Sequence, residues 1–256
     1  MNEMKDEQVI KDDDEISQLM NKLKKFQAIL EESDFFKETK EIIRNEKFTY
    51  IRCLALGSPS SMKTPLFQLA YVIIILNELE IEFKNLSFYD PVFTSVDEDL
   101  LVTQLGATID KEIPTHFEAN STLYFLPHAP IELMNTLLDS IRPHYLLCND
   151  VVSHTDGYTK LKLFEKYPKV SALLNVTNQD QKVKPDEEPF VVPKSRNKKK
   201  KGQFIEPVID YTTVDVYFKS CRIIRLNHAN KDQNWGTAFS DLSYHIITDK
   251  ESPIDT

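Results

Sequence analysis

A chain of 256 residues is long enough for one large α/β unit with appendages. Its net charge of −9 argues against a general nucleic-acid binder, because a phosphate-binding surface needs a basic excess. Cys53, Cys148 and Cys221 lie far apart with no Cys-x-x-Cys pair, which speaks against a zinc knuckle, a redox motif or a disulfide framework and reads as three small buried hydrophobes.

The first residues are acidic and polar, with no hydrophobic signal core, and residues 1–11 are expected to be disordered. Asp12-Asp13-Asp14 can cap a helix start and complement its dipole. Ile16, Leu19, Met20, Leu23, Phe26 and Leu30 then follow at helical spacing. A second helix is predicted over residues 35–43. Residues 1–47 thus read as a tail with two helices outside an α/β domain over 48–256, expected either to pack on it, the commoner outcome, or to hold a partner.

The apolar run 50–56 predicts a strand that ends in Gly57 and the serine-rich turn Ser58-Pro59-Ser60-Ser61. Thr64-Pro65 then starts a helix to about Leu79. Its apolar stretch, broken by Gln68 and Asn77, falls short of the roughly 20 residues a membrane span needs and reads as a helix buried on most of its surface. A second strand, 86–89, ends at Asp90-Pro91. Ser95 and Glu98 suggest a capping box for a helix that ends near Gly106. A short strand at 108–109, a strand at 122–126, a helix at 131–141 and a strand at 145–148 follow. Beyond Asn149-Asp150 the pattern predicts a helix at 161–167, a strand with its turn at 169–176, and late strands at 221–226 and 243–247. Residues 178–206, with Lys194, Arg196 and Lys198–Lys201, read as a disordered, lysine-rich insertion. Regular alternation of strand and helix predicts a Rossmann-like three-layer α/β sandwich with a mostly parallel sheet, plus the N-terminal helices.

Open sheets of this kind bind ligands at the carboxyl ends of their strands. Gly57, Ser58, Ser60 and Ser61 offer backbone N–H groups and hydroxyls just before a helix N-terminus, a possible anion cradle. The turn is neither Gly-x-Gly-x-x-Gly nor a P-loop, and Lys63 stands out of register, so an ordinary strand-to-helix turn is the competing reading. Asp90 lies 33 residues after Gly57, where dinucleotide folds place a ribose-binding acid at a spacing of about 20. Methyltransferase-like folds also put an acid there. The competing reading is a turn that caps local backbone. His128, fixed between Pro127 and Pro130, is a candidate base, ligand or anchor. Asn149, Asp150 and Asp241 are further candidate contacts, with Asp241, Ser243 and His245 expected on one strand face. A Ser–His–Asp set can be drawn from Ser58 or Ser60, His128 and Asp150, but no Gly-x-Ser-x-Gly elbow supports it. No metal site and no particular cofactor are specified. The lysine run is either a solvated loop, a nuclear-import signal or a contact for an acidic partner.

Four blocks, Leu54-Ala55-Leu56-Gly57-Ser58-Pro59, Phe88-Tyr89-Asp90-Pro91-Val92-Phe93-Thr94, Leu123-Tyr124-Phe125-Leu126-Pro127-His128 and Phe239-Ser240-Asp241-Leu242-Ser243-Tyr244-His245, resemble the "sensitivity to red light reduced" family. The resemblance covers residues 48–177 and 221–247 and leaves the N-terminal helices and the insertion outside; length and style resemble a fungal member. It implies a eukaryotic intracellular regulator of cytoplasm and nucleus that works through protein partners, without a membrane and without general nucleic-acid binding. Plant relatives are linked to phytochrome signalling and circadian input, animal relatives to haem synthesis and clock output, and a fungal relative to microtubules. The resemblance carries no reaction. Its matching polar positions are Ser58, Asp90, His128, Asn149 and Asp241, and Ser240 departs from the family's frequent asparagine. Beside this non-catalytic reading stands a second, an enzyme or sensor binding a small anionic ligand, a nucleotide or an S-adenosylmethionine-like molecule over Gly57–Ser61 and Asp90. A third, haem-linked reading lacks a Cys-Pro dipeptide.

Overall fold

The computed structural model describes residues 3–113, 119–181, 208–227 and 234–250, with side chains described from residue 14 and, in the last helix, to residue 177. Seven strands form one sheet in the order β3-β2-β1-β4-β5-β7-β6. They are β1 (Tyr50–Leu54), β2 (Leu86–Tyr89), β3 (Thr108–Ile109), β4 (Thr122–Leu126), β5 (Tyr145–Asn149), β6 (Phe218–Arg225) and β7 (Leu242–Asp249). The pairings β1–β2, β1–β4, β2–β3 and β4–β5 are parallel. Only β7 runs the other way, inserted between β5 and β6 and antiparallel to both. The central strands are continuous apolar runs because both of their faces are covered.

One face carries α1 (Glu3–Glu31), α2 (Asp34–Ile43) and α3 (Lys63–Glu78). Ile51, Cys53, Leu123, Phe125, Leu147 and Tyr244 point into it. Phe26 of α1 stacks on Phe67 of α3 with centroids 3.7 Å apart. Ser33 caps α2 by accepting the Phe36 N–H at 3.1 Å. Phe35, Tyr71, Trp235 and Phe239 form one aromatic cluster, and the buried Tyr71 hydroxyl bonds Thr39 Oγ1 at 2.7 Å. The two N-terminal helices therefore share the main core. The opposite face carries α5 (Ile131–Ser140), α7 (Lys160–Lys166) and α8 (Pro168–Gln181), and receives Leu54, Tyr124, Leu126, Leu146 and Cys148. Alternate residues of each strand thus feed two cores. Connections that run one way from β1 and the other way from β4 put helices on both sides and leave a topological switch point between β1 and β4.

Four local expectations are corrected. α1 begins at Glu3, so residues 3–11 are helical and Asp12–Asp14 fall inside the helix, where three aspartates cost less than about 1 kcal/mol each. The capping box sits one residue earlier than expected. Thr94 caps α4 (Ser95–Glu98) with Asp97 as its partner, and the chain continues as a π-helix over Asp99–Gln104. Residues 169–176 form helix, not strand: Pro168 takes the first helical position, and Val170, Leu173 and Thr177 recur at helical spacing on the buried face. Asp241 precedes β7, so only Ser243 and His245 share a strand face. The expected insertion, with Lys194, Arg196 and Lys198–Lys201, lies almost wholly outside the described residues; its first four, 178–181, end α8.

Candidate functional site

β1 breaks off because Ala55 turns into left-handed backbone at φ 55°, with its N–H donated to Tyr89 O at 3.2 Å. Gly57 follows at φ 79°. A Cβ there would lie 3.0 Å from Pro65 Cγ, so both conformation and space require glycine. The turn then enters α3. Between this turn, the end of β2 and the loop after β4 lies an open cleft of about 670 Å³, within the usual size of a small-ligand site. Its walls are mostly apolar, including Leu56, Pro65, Tyr89, Ile113 and Leu133. At its rim Met62 and Val92 are 53% and 55% exposed, unusual for large apolar side chains. The polar wall residues are Thr64, Gln68, Asp90 and His128, besides the Tyr89 hydroxyl.

Gly57, Asp90 and His128 are therefore brought together at the switch point, from three strand ends. Asp90 accepts Gly57 N–H at 2.7 Å and Val92 N–H at 3.0 Å. A carboxylate has about four acceptor positions, so capacity remains on the cleft side. The local-turn role and the cleft role coexist in one residue. His128 reaches solvent at the cleft mouth. The protein atoms crowded around its imidazole lower its pKa, and the negative charge of Asp241 offsets part of that.

The serine turn does something else. Ser58 is buried and donates to Asp97 Oδ2 at 2.7 Å, Ser60 N–H donates to Asp97 Oδ1 at 2.8 Å, and Ser58 also reaches Ser61 Oγ at 2.9 Å. Thr94 gives Asp97 two more bonds, from its N–H and its hydroxyl, both at 2.9 Å. Burial pushes the Asp97 carboxyl up, but the bonds from Thr94, Ser58 and Ser60 outweigh it and hold it below the usual carboxylate range. The anion cradle expected at Ser58, Ser60 and Ser61 already holds an anion, supplied by the protein. Asp97 was hidden in the sequence by the capping box read one residue late; Thr94-x-x-Asp97 carries the same signal.

Asn149 and Asp150 do not line this cleft. The Asn149 Oδ1 is buried without a partner among the described residues, beside a void of about 10 Å³. Asp150 caps α6 (Val151–Thr155) through Ser153 N–H at 2.9 Å and pairs with Arg225 Nε at 2.6 Å. Its N–H is donated to Asp241 O at 2.7 Å, while the Asp241 side chain is exposed. Ser58 and Asp150 are thus committed elsewhere, and no Ser–His–Asp set is assembled. Next to Asp150, His245 is fully buried. Its Nδ1 lies 3.3 Å from Ser243 O, and its Nε2 accepts Val151 N–H at 3.4 Å. Among the described residues no group of His, Cys, Asp and Glu is arranged to hold a metal ion, and no helix is long and apolar enough to cross a membrane.

Comparison with known proteins places the chain in a family. The chain matches the family model of the SRR1 domain over residues 11–246. It belongs to the SRR1 domain family. The match takes in most of α1 and all of α2, which the sequence blocks left outside. The chain is 29% identical over 89 residues to an SRR1-like protein of Mus musculus, covering 34% of this chain and 35% of that protein. It is 31% identical over 130 residues to an SRR1-like protein of Drosophila melanogaster, covering 45% and 46%. The chain thus spans about a third and about half the length of these two relatives. No solved structure matches.

Asp97→Asn should cost about 2 kcal/mol in urea unfolding, since a charge-assisted hub of hydrogen bonds becomes a neutral, half-mismatched one; a loss below about 0.5 kcal/mol would show that the turn holds without the clamp. Burial holds His245 down to about 4, against about 6.5 in the unfolded chain. The unfolded state binds the extra proton between these values, so stability present above pH about 6.5 is lost as pH falls toward about 4, by about 3 kcal/mol in full. His245→Gln should flatten that slope of unfolding free energy against pH, and an unchanged slope would assign the acid sensitivity elsewhere.

Proposed function

We propose that this SRR1-domain protein is an intracellular regulator, acting in cytoplasm and nucleus through protein partners, and that its switch-point cleft binds a nucleoside-type small molecule without phosphate. The observation that carries the ligand reading is the chemistry of the cleft wall. It offers apolar surfaces for a base and one carboxylate with spare acceptor capacity for a diol. No Lys or Arg is among the described lining residues. The turn that would cradle a phosphate is filled by Asp97. A neutral or cationic ligand of the S-adenosylmethionine class suits this wall, and NAD, ATP and other anionic ligands do not. The sheet order with a reversed strand between β5 and β6 is also that of methyltransferase-like folds, an analogy of fold alone.

A thermal-shift series on the full chain tests the ligand. S-adenosylmethionine at about a hundredfold excess over its Kd should raise the melting temperature by about 5 °C, while ATP, NAD and haem should not. Asp90→Asn should lower apo stability by about 1 kcal/mol and abolish the shift. No response to any adenosyl compound would end the ligand reading. The nuclear part of the proposal rests on Lys198–Lys201. A fluorescent fusion with these four lysines changed to alanine should lose nuclear bias, and an unchanged distribution would refute it.

A further inference from the structure

We infer that Gln68 is the specificity residue of the cleft, an acceptor that selects a ligand carrying an amino or ammonium group. The inference deepens the ligand reading and rests on it. Within the buried stretch of α3, Pro65 to Leu76, Gln68 is the one residue with an amide, set among Leu66, Phe67, Leu69 and Ala70. It has no exposed surface and forms part of the cleft wall. Side chains on a helix lean toward its N-terminus, which carries Gln68 toward the Gly57 and Pro65 end of the cleft.

One end of the amide is fixed. Nε2 donates to Ala238 O at 2.8 Å. Turning the amide over would set its oxygen against that carbonyl, two acceptors face to face, so the orientation is settled by the partner. The other end, Oε1, is buried with no hydrogen-bond partner among the described residues. A buried acceptor left unmade is unfavourable, and an apolar residue of similar shape would avoid it. Tyr71, the other polar side chain on this buried stretch, has its hydroxyl satisfied by Thr39. The unmade bond thus falls on the polar side chain of this stretch that borders the cleft. Nε2 spends one of its two hydrogens on Ala238 O, which fixes the amide, and Oε1 is the atom left without a partner. It therefore fits an N–H of the ligand and rejects an oxo group in the same place. Asp90, also an acceptor, makes the same demand for donors on another wall.

Two ligand pairs test this by calorimetric titration of the full chain: adenosine against inosine, and S-adenosylhomocysteine against its deaminated analogue, 5′-(3-carboxypropylthio)-5′-deoxyadenosine. In each pair the second compound lacks one amino group. In at least one pair the amino-bearing member should bind wild type about tenfold more tightly, because a site built to bond a donor is left unpaired by an analogue without it. In Gln68→Leu, or Gln68→Met if the leucine variant fails to fold, that preference should shrink to about threefold or less. Equal binding within both pairs by wild type would overturn the assignment while leaving the ligand reading standing. So would a preference that persists in the variants, which is the outcome expected if an ordered water occupies Oε1. Failure of all four compounds to bind would end the ligand reading and this inference with it.

Discussion

Two carboxylates on the connection after β2 hold the turn after β1, and the cleft end of the sheet depends on that clamp. Asp90 takes the N–H of Gly57, and Asp97 takes the N–H of Ser60 and the hydroxyl of Ser58. Asp97 has no exposed surface, and a buried charge is tolerated only when its oxygens are bonded. Here the bonds from Ser58 and Ser60 tie one strand-end turn to its neighbour, while those from Thr94 close the local cap. The cross-link over-determines a backbone that would otherwise be unfavourable, since an alanine in left-handed conformation costs about 1 kcal/mol. Ala55 is held there, Gly57 follows, and the chain is bent away from the strand axis, opening the floor of the cleft. Cap, turn and cleft are consequences of one polar junction.

Most of the sheet was legible in the residues. Strands β1, β2, β4 and β5 are short apolar runs with polar ends, and parallel pairing leaves that mark because both faces are buried. The placement of Asp90 and His128 on one edge followed from the same topology. What failed was non-local. Ser58 looked like a ligand contact because its partner, Asp97, stands 39 residues away and was masked by a cap shifted by one position. A strand was expected at 169–176, yet Pro168 ahead of it marks a helix start. The insertion of β7 between β5 and β6 depends on antiparallel register with two strands, one of them almost a hundred residues earlier, and leaves no local signal. Gln68 was visible as a break in an apolar run. Only the coordinates separate it from Asn77, which breaks the same run but faces solvent.

The two N-terminal helices change meaning once packed. Of the two outcomes expected for them, packing on the domain and holding a partner, the first is seen: Leu19, Leu23, Leu30, Phe35 and Ile43 are buried in the same core as the central strands. They complete a layer that α3 alone would leave open, and Phe26 on Phe67 fixes where α1 lies across it. Family membership beginning at residue 11 agrees with that arrangement. The helices belong to the scaffold that presents the cleft.

The aromatic cluster under those helices also contains the chain's single tryptophan. Trp235 is shielded from water and sits three residues before Ala238, whose carbonyl is held by the cleft-wall amide of Gln68. A lone buried indole gives a fluorescence signal from one place, without overlap from others. Its neighbours Phe35 and Phe239 set its surroundings, and the Gln68 tether links the same segment to the cleft. The molecule thus carries an intrinsic optical reporter wired by one hydrogen bond to its candidate site, readable in the unlabelled protein.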